Sequence, residues 1–208
     1  MSGSTTAEAA LRDSIGAERR ALAEALAGLP AAAWDTPSLC AGWRVREVVA
    51  HMTMPFRYST ARFIREMVRD RGRFNRMADR CARRDAAGPP EELLMSLANN
   101  ADHPWKPPGG GFEGALVHDV IHSLDVMVPL GLERRVPADR IRLVLQAVTR
   151  PKTLKHFGAD LAGSELRADD LDWSFGSGRL VVGSAQDLAL ILSGRTLPAG
   201  RVVSPVTE

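Results

Sequence analysis

Five histidines stand in this 208-residue chain, and three of them have a spacing that could hold a metal ion. His118 and His122 are four residues apart, which on a helix puts both imidazoles on one face. One helix can offer two ligands to one ion in this way. His51 lies in a separate stretch whose apolar residues, Val45, Val48, Val49, Met52 and Phe56, recur at helical spacing. Two such helices packed together bring it opposite the pair. Three neutral imidazoles with an open fourth position suit a catalytic divalent metal, zinc first, with nickel or cobalt as the other candidates. The same residues allow a plainer reading, in which the pair packs at a helix surface and His51 is a satisfied core histidine. A metalloprotease motif is absent, because His118 is followed by Asp119, expected to face solvent, and not by glutamate. Asp125, three residues after His122, either orients that histidine from behind or closes a salt bridge within a bundle. Arg195, after Leu-Ser-Gly, offers a carboxylate-binding role toward substrate or a surface role. Cys40 reads as a packing residue, and Trp43 and Trp173 read as core anchors. His103 lies in a Pro/Gly-rich loop, with a place in solvent or at a cleft mouth.

The elements that must position these residues are mostly helices. Leu11, Ile15, Leu22, Leu26 and Leu29 make one stripe over 5–29, stopped by Pro30. A second helix starts near Arg44. Pro55 removes a backbone donor and crowds the carbonyl of His51, so a kink is predicted there, with the helix resuming to about Asp70. Ten arginines in 57–84 read as a solvated helical face, with an anion-attracting patch as the second reading. Further helices are predicted over 91–100, 113–128 and 137–150, the last ended by Pro151. Beyond about residue 158 the pattern alternates, and Gly-Ser-Gly at 176–178 predicts a β-hairpin. Ser184 is a natural N-cap for a last short helix. The expected organisation is mostly α, with a helical bundle over 1–155 and a small α+β module over 156–208.

Composition narrows the functions. A formal net charge of +2 and 5% aromatic residues give no nucleic-acid footprint. No apolar run approaches the roughly 18 residues of a membrane span. Two cysteines, Cys40 and Cys81, cannot build a disulfide framework, and the N-terminal residues lack a secretory pattern, so a cytoplasmic protein is expected.

Three stretches carry a resemblance. WDTPSLCAGWRVREVVAHM (34–52) resembles the entry to the metal-binding helix of the mycothiol-dependent maleylpyruvate isomerase family, within the DinB-like group of metal-binding helical bundles. EGALVHDVIHSLDVMVPLG (113–131) is similar to the stretch in which that family places its other two ligands. LDWSFGSGRLVVGSAQDLALILSGR (171–195) resembles its small C-terminal module. The resemblance implies a DinB-like four-helix bundle, a divalent metal on His51, His118 and His122, and mycothiol as thiol cosubstrate. One departure stands out: the isomerase resembles a two-histidine, one-glutamate set, whereas position 118 here is histidine. The all-histidine set is more like the thiol-transferase branch. The implied activity is activation of a low-molecular-weight thiol for isomerisation of, or transfer to, a small electrophile. The alternative is a non-catalytic metal-binding or regulatory protein on the same fold.

Overall fold

The computed structural model describes residues 2–132, 134–159, 161 and 163–203. The chain opens with α1 (Ser2–Leu26), which buries Ile15, Leu22 and Leu26. A short 3-10 turn at Ala31–Asp35 buries Trp34 and leads to α2 (Val45–Arg57). The start of α2 is fixed by Glu47, whose carboxylate accepts the Arg44 backbone N–H at 2.8 Å. Next come α3 (Thr60–Arg69), α4 (Phe74–Asp85), α5 (Pro90–Asn99) and α6 (Gly111–Met127). Helices α1, α2, α5 and α6 form a four-helix bundle in which each packs on two neighbours.

The second half continues with α7 (Ala138–Val148) and α8 (Pro151–Phe157). After them come β1 (Ser164–Ala168), β2 (Ser174–Gly176), β3 (Arg179–Gly183), α9 (Ala185–Leu192) and β4 (Val202–Val203). The mostly α fold with a small C-terminal α+β part agrees with the expectation from sequence.

Helix α6 is the centre of the molecule. An amphipathic stripe is absent because the helix is buried on most sides, from Ala115 through Met127. One apolar cluster joins Leu116, Val120 and Leu124 of α6 to Val144 and Leu145 of α7 and to Leu188 and Leu190 of α9. A second joins Val126 and Met127 of α6 to Leu22, Leu26, Val48, Val49 and Leu97. Each fully buried leucine contributes about 1.5–3 kcal/mol, so α6 is anchored from both sides and its polar residues are held in place.

Three local expectations are corrected. The predicted single helix from Arg44 to Asp70 is two helices. Helix α2 runs on through Pro55 to Arg57, and the chain breaks at Tyr58. It restarts as α3 because the Ser59 hydroxyl accepts the Arg62 N–H, a regular N-cap. The predicted hairpin across Gly176–Gly178 does not form. Strand β1 lies between the two strands, antiparallel to β2 and parallel to β3, in the order β2-β1-β3-β4. Glycine is required at 178, where φ is +123° and a Cβ would sit 2.3 Å from the Gly163 carbonyl oxygen. The arginine run, finally, is only partly solvated. Glu66 and Asp70 are buried between α3 and α4, where Arg80 pairs with both, at 2.8 and 2.5 Å. Arg84 pairs with Glu66 at 2.9 Å and Arg57 with Asp85 at 2.9 Å. Arg65, Arg69, Arg71 and Arg73 do face solvent.

Candidate metal centre

Helices α2 and α6 bring the three histidines together. One ring nitrogen from each of His51, His118 and His122 lies within 4.8 Å of the others. The four-residue spacing puts the α6 pair side by side, with ring centroids 4.6 Å apart, and His51 from α2 caps them at 5.0 and 5.2 Å.

Each histidine of the pair is held from behind by a buried carboxylate. The Nδ1 of His118 lies 2.8 Å from Asp119 Oδ1, and that of His122 lies 2.9 Å from Asp125 Oδ2. A carboxylate only accepts, so each Nδ1 carries a proton, and in the neutral ring Nε2 keeps its lone pair. Both carboxylates are in turn gripped by arginine. Arg19 Nε donates to Asp119 at 2.7 Å, and Arg195 donates twice to Asp125, at 2.9 and 2.8 Å. Aspartate and arginine thus fix the tautomer and ring plane of both histidines.

One pair of donors already has the spacing of ligands on a tetrahedral ion. Two nitrogens bound to one zinc at about 2.0–2.1 Å stand about 3.3 Å apart, and the Nε2 atoms of His51 and His118 are 3.2 Å apart. Electrostatics agree. Burial, followed by the neighbouring His122 and His118, pushes His51 well below the ordinary histidine value. Burial also lowers His122, against the opposing pull of Asp125. Both rings are therefore neutral at neutral pH, as a ligand must be. Burial alone would raise Asp119 and Asp125, but the bonds from histidine and arginine outweigh it and both carboxyls stay below the usual range. The walls are apolar: Trp43 lies 5.2 Å from His51 and Trp105 lies 5.0 Å from His118, centroid to centroid.

Residues 15–103 match the family model described as the Mycothiol maleylpyruvate isomerase N-terminal domain. The whole fold is similar to the structure titled "Crystal structure of the mycothiol-dependent maleylpyruvate isomerase". That similarity has a TM-score of 0.55 at 14% identity and covers 98% of this chain and 93% of that one. No curated protein gives a significant match. The domain match ends at residue 103, so it contains His51 but neither His118 nor His122.

Several residues stand differently from their sequence expectation. Asp119, expected in solvent, is 2% exposed and bonded to His118. Asp125 combines its two readings, since it both touches His122 and carries an ion pair to Arg195. Arg195 is not on the surface but lies against Asp125, with its third nitrogen on the Ser193 carbonyl at 2.7 Å. Trp43, expected as a core anchor, is half-buried beside His51 and donates its indole N–H to Asp79 at 2.8 Å. Cys40 is half-buried near Asp125, and burial, then the charge of Asp125, pushes its thiol up to about 11. A thiol so protonated is a packing group and not a nucleophile. His103 packs on Phe56 at 5.1 Å, and His156 is exposed beside Phe157. Sequence reasoning missed Arg19 and Trp105 and misread Asp119. Only Asp119 had a local signal, its position beside a candidate ligand.

Proposed function

We propose that this protein is a metal-dependent enzyme that activates a low-molecular-weight thiol for attack on a small electrophile. Mycothiol is the thiol indicated by the family match, and maleylpyruvate is the first electrophile to test. The observation that carries this reading is the convergence of three imidazoles, two of them held from behind by buried aspartate at Nδ1. His51, His118 and His122 would hold the ion, with zinc preferred over nickel or cobalt for an all-nitrogen tetrahedral set. A divalent ion at this centre supplies Lewis acidity, which lowers the pKa of a thiol that reaches it.

The chain's own residues do the rest. Asp119 and Asp125 keep the Nδ1 protons of His118 and His122 in place, so neither ring turns or changes tautomer during turnover. Trp43 and Trp105 exclude water from the side of His51 and His118, which strengthens every charge interaction in the cleft. Arg195 has five N–H donors, of which the protein takes three. We assign the remainder to a carboxylate-bearing substrate. Isomerisation by addition and elimination of the thiol, and transfer of the thiol, both use these groups.

Purified protein is expected to hold about one divalent ion per chain by elemental analysis. On adding mycothiol at neutral pH it should release about one proton per thiol bound, read by a pH indicator. The variant His118→Ala should lose both properties, whereas His118→Glu should keep the ion, since carboxylate oxygen binds zinc at a similar distance. Protein that takes up no zinc, nickel or cobalt would sink the proposal. Metal uptake without thiol-dependent turnover would mark a regulatory protein instead.

A further inference from the structure

Arg19 sits on α1, a hundred residues from the histidine pair in sequence, and its side chain is 1% exposed. It reaches three backbone or carboxylate oxygens. Nε donates to Asp119 at 2.7 Å, and Nη1 donates to the carbonyls of Ala101 and His103 at 3.1 and 2.8 Å. Its guanidinium carbon lies 4.9 Å from the centre of the Phe56 ring. Asp119 divides its two oxygens between Arg19 and His118. Burying such an ion pair is a poor route to stability, because desolvation cancels most of the attraction. An apolar pair of the same volume would serve a bundle core as well. The pair has a use only if the orientation of its third member, His118, matters.

We propose that Arg19 is a positioning residue for the metal centre; this rests on the three-histidine reading above. Its Nε–H fixes Asp119, and Asp119 fixes the His118 tautomer whose Nε2 faces His51. The same guanidinium holds the carbonyls of Ala101 and His103, two residues before Trp105. It thereby sets the loop that lays the Trp105 ring against His118. One buried cation therefore orders both a ligand and the wall beside it. Arg195 does the equivalent for His122 from the opposite end of the chain, but it holds no loop at the wall.

The test uses zinc affinity by chelator competition and the visible spectrum of the cobalt-loaded protein, with unfolding of the metal-free forms as control. The variant Arg19→Met should weaken zinc binding ten- to a hundredfold, the usual effect of removing a group that orients a ligand. Its cobalt spectrum should shift, reporting altered coordination. Arg19→Lys keeps the charge but not the fork, and should recover part of the affinity. Zinc affinity and cobalt spectrum equal to wild type in both variants, whatever happens to the unfolding temperature, would overturn the role of Arg19 alone. Should Arg19→Met not fold, Arg19→Lys with full affinity and an unshifted spectrum overturns it. Wild-type protein that binds neither zinc nor cobalt would overturn the reading of the centre itself, and Arg19's role with it.

Discussion

At the scale of the residue, two histidines of the centre, His51 and His122, are kept neutral by burial. That has a consequence for the metal-free protein. His51 and His122 are pushed below the ordinary value of 6.5, so the folded state binds fewer protons than the unfolded chain once the pH drops under it. Stability from these groups is therefore complete above about pH 6.5 and lost as the pH falls below it. His103, also lowered by burial, acts in the same direction. The melting temperature of metal-free protein is expected to fall steadily from pH 7 to 5.5, measured by circular dichroism. A level or rising trend would contradict the burial of these rings as neutral groups. The histidine pair was legible in the sequence because its spacing equals a helical turn. Asp119 was misread because its partner, Arg19, lies a hundred residues away, and no local pattern reveals a pairing of that separation.

The α3–α4 hairpin shows the same limit at the scale of the element. The ten arginines are obvious in the sequence, yet which of them face water depends on where Glu66 and Asp70 point. Those two acids face inward, so Arg80 and Arg84 are structural while Arg65 and Arg69 are not. Replacing Arg80 by Gln leaves two buried carboxylates short of a partner and should cost about 2 kcal/mol, moderated because Arg80 is a quarter exposed. Arg69→Gln should stay within about 0.5 kcal/mol. Urea denaturation compares the two directly, and equal effects would refute the distinction. Ser184 and Ser59 illustrate the two outcomes of reading elements from sequence. The Ser184 cap was legible, and its hydroxyl accepts the Asp187 N–H at 3.3 Å. The Ser59 cap was missed because the apolar pattern runs on past it. The sheet was hardest to foresee, since the partner of β3 is decided by a strand fifteen residues earlier and not by the turn that joins β2 to β3.

Across the whole molecule, α6 belongs to two apolar clusters at once, and the C-terminal elements complete one of them. A chain ending at residue 155 would bare Val144, Leu145 and Leu124 to water and leave Asp125 without Arg195. Such a fragment is expected to aggregate or stay loosely packed, and to bind zinc more weakly than the full chain. Size-exclusion chromatography with zinc titration checks this, and a compact monomer of undiminished affinity would show that the bundle stands alone. No helix among the described residues is long and apolar enough to cross a membrane.

The bond from Arg195 to Asp125 also puts the centre on a clock. A ribosome adding about 5–20 residues per second needs about 4–14 s to travel the 70 positions between the two partners. Through that interval the emerging chain already carries all three histidines, but His122 has a carboxylate behind it that nothing yet restrains. On the proposed reading, secure capture of an ion belongs to the end of synthesis, when α9 closes on α6 and one arginine completes what the first two-thirds of the chain began.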